Sequence, residues 1–361
     1  MKVAHLSVRH PASDTRVFYK ECKTLEKAGY SVYLMVPHEK DEEIDGINIV
    51  HLPQYEKRLK KILINIPLTL IKALKLNAKI YHFHDPELIP VGIILKIFRK
   101  KVVYDIHEDY YSDTFDKKWL GMLQRPVAIS LLLFQKIALR IFDYIIAAEP
   151  KIESRFKSHK TILLRNFPIL SMSEKITPNK KNKNKFTIIY VGWLTRLRGI
   201  KEVIESLEFL DKDVELILMG KWEEGYREEC ERLSGWVKTN YLGHRPLNEV
   251  YSYIKKSDIG LSVLYPIPNY LYSLPVKAFE YMIFSLPIVM SDFPYWKEIY
   301  SECALFVNPH DPKDIAEKIN TLLNGEKLRK QLGKRGRELI ETEYNWEKES
   351  EKLIQLYKNL S

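Results

Sequence analysis

Two apolar patterns recur along this chain. Short, mostly apolar blocks are separated by longer stretches whose apolar positions return at helical spacing. In the first half the blocks fall at 2–7, 31–36, 47–52, 80–84, 102–106 and 144–148 and read as buried strands. Between them, 15–28, 57–77, 87–99 and 126–142 read as helices. The first of these stops at Gly29, suited to a left-handed C-cap, and the second is broken at Pro67. Strands spaced by helix-length segments predict βαβ units and a mostly parallel sheet.

Residues 171–185 break the rhythm, being polar, basic and nearly free of apolar side chains, and read as an exposed linker. The alternation then restarts, with strands expected at 186–191, 214–219, 237–242, 259–264, 288–291 and 304–307. Helices are expected between them, and three close the chain at 312–323, 327–342 and 346–360. The pattern predicts an α/β protein of two doubly wound, Rossmann-like domains, 1–170 and 186–340, with 341–361 as a helix returning to the first domain. A length of 361 residues agrees with two domains. Such sheets bind ligands beyond the C-terminal ends of their strands, so a tandem pair places the expected site in the cleft between domains.

Charge adds an asymmetry. The formal net charge is +10, and residues 1–180 carry 30 Lys and Arg against 20 Asp and Glu, whereas the remainder is balanced at 27 each. Between Lys57 and Lys101 there are 11 basic residues and two acids. An anionic partner for the first domain is expected, and the apolar residues interleaved in 57–77 suit a helix lying on an anionic membrane surface. No stretch reads as membrane-spanning or as a signal peptide. Three scattered cysteines without a C-x-x-C spacing predict neither a disulfide framework nor a cysteine zinc site, and point to a reducing compartment.

The absent motifs narrow the chemistry. No G-x-G-x-x-G follows the first strand, and there is no P-loop, H-E-x-x-H or G-x-S-x-G. The Asp211-Lys212-Asp213 triplet falls at the opposite end of its strand from the expected ligand edge and reads as a solvated turn. Strand ends carry the candidates. His84-Asp85-Pro86-Glu87 and His107-Glu108-Asp109 deliver a histidine and acids to one edge, either as ligand groups or as capping and positioning groups. Gly192 to Gly199 brings Arg196 and Arg198 to a helix start, suited to a diphosphate unless the loop is merely solvated. At 273–282, Pro275 is expected at the first helical position, aiming the amides of Val276 and Lys277 at an anion. Glu280 follows one turn later, facing a ligand diol or closing an internal salt bridge.

The strings HDPELIPVG, VVYDIHEDY, YVGWLTRLRGI and SLPVKAFEYMIFSLPIVMSDFP, in this order, resemble family-four retaining glycosyltransferases of GT-B fold. The opening HPASDTRVFYKECKTLEKAGY and closing YNWEKESEKLIQLYKNL are similar to the bacterial surface-polysaccharide branch. The resemblance implies a donor site of Gly192, Arg196, Arg198, Pro275, Val276, Lys277 and Glu280, with Arg198 and Glu280 catalytic or ribose-binding. It also implies His107 facing the reacting sugar. The acceptor side falls on His10, Asp14, Arg16, His84, Asp85 and Glu108. Three features depart from the family: Trp193 stands where an arginine is usual, leaving Arg196 as its substitute, Tyr272 replaces the first acid of the E-x7-E pair, and Arg9-His10-Pro11-Ala12-Ser13-Asp14 stands where the first loop usually has Gly-Gly. The implied activity is transfer from a nucleotide diphosphate sugar to a saccharide or lipid-linked acceptor, without a metal or other cofactor. The expected setting is cytoplasmic, peripheral at the inner membrane face. The alternatives are a nucleotide-sugar epimerase or hydrolase on the same fold, or a basic nucleic-acid-binding protein. The latter is disfavoured by the lack of an interleaved aromatic platform.

Overall fold

The computed structural model describes residues 1–361 except 56–59, 108–120, 122–123, 159, 175 and 178–184. The chain divides into two units, 1–166 together with 346–361, and 167–345. In the first unit eight strands form one sheet: β1 (Lys2–Leu6), β2 (Ser31–Pro37), β3 (Glu42–Ile44), β4 (Ile47–Leu52), β5 (Ile80–Phe83), β6 (Lys101–Ile106), β7 (Tyr144–Ala147) and β8 (Thr161–Leu163). Their order is β3-β4-β2-β1-β5-β6-β7-β8, and all neighbours are parallel except β3 against β4. β3 and β8 were not expected from the pattern. At three residues each they are too short to show a period. The order reverses between β1 and β5, which opens a crevice at their C-terminal ends.

Two expectations for this unit change. Pro67 does not break a helix. It sits in the first turn of Ile66–Leu76, where a missing N–H costs no hydrogen bond, after a π-wound turn at Lys61–Asn65. The segment after β1 is helical as expected, but Thr15–Cys22 is wound as a π-helix before continuing as Lys23–Lys27. The C-terminal helix Trp346–Leu360 packs on this unit through Trp346, Leu353, Leu356, Tyr357 and Leu360, and Trp346 Nε1 donates to Thr24 Oγ1 at 3.0 Å.

The second unit holds β9 (Phe186–Val191), β10 (Val214–Met219), β11 (Thr239–Gly243), β12 (Ile259–Ser262), β13 (Ile288–Ser291) and β14 (Ala304–Val307), all parallel, in the order β11-β10-β9-β12-β13-β14. Its reversal lies between β9 and β12. The linker expectation is corrected at its near end. Phe167 lies in the core of this unit against Phe279 and Tyr344, Ser171–Glu174 is helical, and Ile176 packs on the same core. Phe167, Leu170 and Ile176 anchor the segment and outweigh the polar residues among them, while 178–184 lie outside the described residues. Asp213 stands immediately before β10 and pairs with Lys185 at 3.3 Å, which puts the Asp-Lys-Asp triplet at the strand's N-terminal end. No helix among the described residues is long and apolar enough to cross a membrane.

Candidate functional site

In the second unit three adjacent strands end on glycine in a backbone region that disfavours a side chain. φ is 127° at Gly192, 153° at Gly220 and 75° at Gly243. A Cβ on Gly220 would fall 1.8 Å from the Gly192 carbonyl oxygen, so the ends of β9 and β10 touch through bare backbone. Beyond them opens a cavity of about 290 Å³, lined by Gly192, Trp193, Gly220, Lys221, His244 and Arg245 with Val191, Met219 and Val250. Lys221, His244 and Arg245 were not singled out in the sequence. Their signal was the glycine at each strand end, seen only once the strands are known to be neighbours.

Two cations meet at this edge. A Cβ on Gly192 would lie 3.2 Å from both Arg198 Nη1 and Lys277 Nζ. Lys277 is 8% exposed, and its ammonium has no hydrogen-bond partner. It rests 3.5 Å from the centre of the Tyr190 ring, which gives a buried cation partial compensation through the ring face. Burial, then the neighbouring Arg198, push the Lys277 pKa well below the usual lysine value, against a smaller opposing pull from Glu280. Arg198 stacks over Tyr270 at 5.8 Å and lies against the Tyr190 hydroxyl, whose pKa burial raises to about 12. A guanidinium and a buried amine without a hydrogen-bond partner, held together at a strand-switch crevice, suit a multiply charged anion.

The other donor-side candidates fall around this pair with two corrections. Pro275 is the N-cap of Val276–Ile283 rather than its first helical residue, so Val276 and Lys277 occupy the first two positions. Glu280 is half-buried one turn on, beside the Tyr251 hydroxyl, and close enough to Lys277 to offset part of its depressed pKa. Arg196 points elsewhere. Its Nη1 donates to Glu223 Oε1 at 2.9 Å, its Nη2 donates to Glu229, and its plane covers the Tyr226 ring at 4.6 Å. Those two carboxylates hold it away from Gly192, so it does not substitute for the arginine that Trp193 replaces. Tyr272 is 54% exposed.

In the first unit the candidates gather at the β1/β5 crevice in two layers. The outer layer is His10, Asp14 and His107. Asp14 caps Thr15–Cys22, accepting from Arg16 N at 2.9 Å and Val17 N at 2.8 Å, and its other oxygen meets His10 Nδ1 at 3.0 Å. Although burial opposes it, hydrogen bonds from His10 and Val17 bring the Asp14 pKa down to about 2. His10 Nε2 lies 3.0 Å from His107 Nε2, and His107 Nδ1 lies 3.3 Å from Asp105, which orients the ring. Glu108 lies outside the described residues.

The inner layer corrects the acceptor-side expectation for Arg16, His84 and Asp85. All three are buried and committed to internal partners. Asp85 accepts from Ser7 Oγ at 2.8 Å and Val8 N at 2.6 Å, fixing the loop after β1. His84 Nδ1 donates to Asp105 at 3.2 Å. Arg16 forms a bidentate pair with Asp105 at 2.8 and 2.9 Å and donates to the Leu164 carbonyl. Strand alternation hid this, because Asp105 sits inside an apolar run and gives no polar period. Removing one partner of a buried pair strands the other charge. Arg16→Ala is therefore expected to destabilise the protein by about 3–5 kcal/mol in urea unfolding, whereas a residue touching only the acceptor would leave stability near wild type.

Comparison with known proteins fits both units. Residues 15–162 match the family described as Glycosyltransferase Family 4, and residues 171–339 match Glycosyl transferases group 1. Each unit thus matches a glycosyltransferase domain, and the two parallel-sheet Rossmann-like domains have the GT-B fold. It is 31% identical over 181 residues to N,N'-diacetylbacillosaminyl-diphospho-undecaprenol alpha-1,3-N-acetylgalactosaminyltransferase of Campylobacter jejuni, a match covering 48% of this chain and 45% of that one. It is 24% identical over 185 residues to the capsular polysaccharide biosynthesis glycosyltransferase CapM of Staphylococcus aureus, covering 50% and 47%. The match thus spans about half the length of these curated relatives. Among solved structures, Anabaena HepE in complex with UDP-glucose shares the fold at a TM-score of 0.70 and 14% identity, covering 100% of this chain and 99% of that one.

Proposed function

We propose that the protein transfers a sugar, with retention of configuration, from a nucleotide diphosphate sugar to a lipid-linked saccharide acceptor during synthesis of a surface polysaccharide. The observation that carries this reading is the convergence of Arg198 and Lys277 on Gly192 at the β9/β12 switch point. Breaking the bond between the sugar C1 and the phosphate oxygen leaves charge on the diphosphate. Fixed donors aimed at that charge lower the barrier. The acceptor oxygen bonds C1 on the same face, and its proton passes to the departing phosphate, so no protein nucleophile is needed. Glu280 is assigned to the ribose hydroxyls and the 290 Å³ cavity to the nucleotide end of the donor. His10 and His107 are assigned to the acceptor. The undecaprenol-linked substrate named for the Campylobacter relative supports the lipid-linked acceptor, and the HepE complex supports a sugar nucleotide donor.

Thermal-shift measurements across UDP-, GDP-, ADP- and CMP-sugars, without added divalent metal, test the donor assignment. A donor at 100 times its dissociation constant is expected to add about 2.7 kcal/mol of stability. Product analysis then separates transfer to an acceptor from hydrolysis or epimerisation. No shift with any sugar nucleotide overturns the reading.

The reading includes peripheral binding at the inner face of the cell membrane. Lys57 and Arg58 of the basic segment lie outside the described residues. The remainder exposes Leu63, Ile64 and Ile71, and the helix Gln124–Leu139 exposes Val127, Ile129, Leu133, Phe134 and Ile137. Beside that helix, Lys136, Arg140, Arg155, Lys157 and Lys160 line a cavity of about 340 Å³. Apolar residues flanked by cations suit an anionic bilayer surface, at roughly 1 kcal/mol per cation. Sedimentation with anionic vesicles at low salt is expected, with little binding to neutral ones; equal behaviour on both rejects surface binding.

A further inference from the structure

Three histidines and a glutamate of the first unit meet in a place the proposed reaction does not use. His82 on β5 and His84 immediately after its end are two apart, and their rings stack at 4.7 Å on one face of the sheet. His5 on β1 pairs directly with His82 across the parallel ladder, so its ring joins them on that face. Over this face lies the π-helix Thr15–Cys22, whose wider turn brings residues five apart together, setting Glu21 beside Arg16 at 3.0 Å. All four side chains are fully buried. Glu21 Oε2 lies 3.8 Å from His5 Nδ1, 3.7 Å from His82 Nε2 and 3.9 Å from His84 Nε2, and His5 Nδ1 is 3.1 Å from His84 Nε2. Ligand atoms bound at about 2.0–2.1 Å in a tetrahedral site stand about 3.3–3.5 Å apart, near these separations.

The outward-facing ring nitrogens are all engaged. His5 Nε2 and His82 Nδ1 meet the Tyr357 hydroxyl at 3.2 and 3.0 Å, and His84 Nδ1 donates to Asp105 at 3.2 Å. Partners of this kind orient metal-binding imidazoles with their lone pairs inward. The hydrogen bonds within the cluster leave three of its buried atoms without a partner. A chain from His82 through Tyr357, His5 and His84 to Asp105 can be written. It leaves both Glu21 oxygens and His82 Nε2 buried without a hydrogen-bond partner. Glu21 and Asp105 also share a single guanidinium, Arg16, which leaves one buried negative charge uncompensated.

We propose that His5 Nδ1, His82 Nε2, His84 Nε2 and Glu21 form a closed structural site for a zinc-class divalent ion. Three imidazoles and one carboxylate suit such an ion, and four protein ligands leave no position for substrate. The ion would tie β1 and β5 to the helix above them and, through Tyr357, to the C-terminal helix.

The test is made on untagged, full-length protein purified without chelator and denatured for elemental analysis. About one equivalent of a first-row divalent ion per chain is expected, falling below about a tenth in Glu21→Gln and His82→Ala, with His38→Ala as a surface control that keeps its metal. Exhaustive dialysis against a strong chelator should lower the melting temperature, and Zn²⁺ should restore it. Cobalt substitution should give the intense visible absorption of a tetrahedral site. If the two variants fail to fold, wild-type stoichiometry and the cobalt spectrum still decide. Wild-type protein with under about a tenth of an equivalent and no melting shift on adding Zn²⁺ overturns the proposal in favour of a protonated Glu21. Full metal content in both variants overturns it as well.

Discussion

Arg198→Ala is expected to lower turnover by ~100-fold or more, as for loss of a donor aimed at developing charge. The loss should appear in kcat and in kcat/KM to similar extents, because the interaction strengthens as the diphosphate departs. Arg198 is only partly buried, stacks over the Tyr270 ring and lies against the Tyr190 hydroxyl, so the fold should survive its removal. Arg198→Lys should recover part of the activity and no more, since an ammonium keeps the charge but loses the fixed fork of donors. Arg196→Ala provides the contrast. Its guanidinium is committed to Glu223 and Glu229, so its loss should leave turnover within about threefold of wild type, less than a donor lost from the diphosphate site. Steady-state kinetics on the three variants decides between these positions. If the two alanine variants behave in the reverse order, the diphosphate site belongs near Glu223 and the assignment of this loop fails.

The different fates of neighbouring arginines show where the sequence stops being readable. The six strands of the second unit and the closing helices follow from apolar runs and helical spacing, which are local and need no partner. The loop from Gly192 to Gly199 was readable as an anion site because a strand, a glycine and a helix start are consecutive. Which arginine faces the anion was not, because that depends on Glu223 and Glu229, about thirty residues away. The first unit repeats the lesson. His84-Asp85 read either as ligand groups or as positioning groups at a strand end, and the burial that makes them positioning groups follows from β5 being a central strand between β1 and β6. Glu21 and His5 gave no signal at all. One sits in an amphipathic helix and the other in an apolar run, and only the packing of that helix over the β1/β5 pair brings them together.

Lys277→Met is expected to raise stability while abolishing transfer. In the folded protein the ammonium is desolvated, faces Arg198, and has only a ring face and Glu280 in compensation. Its folded pKa therefore lies below that of the unfolded chain. Between those two values the unfolded state binds more protons, so this residue makes stability rise with pH. Methionine fills a similar volume without charge, so the variant should melt higher near pH 7 and lose part of that upward slope toward pH 9. A bound diphosphate would reverse the balance by supplying the missing negative charge and raising the lysine pKa. Donor binding by wild type should then take up a proton, seen as a calorimetric enthalpy that changes with the ionisation enthalpy of the buffer. The variant should show neither that proton uptake nor a thermal shift with donor, and turnover should fall ~100-fold or more. A less stable variant would mean that the ammonium is held by the fold for its own sake. A more stable, inactive one would mean that the protein holds a desolvated amine in its core that only the bound substrate satisfies, the trade of stability for function expected at an anion site prepared in advance.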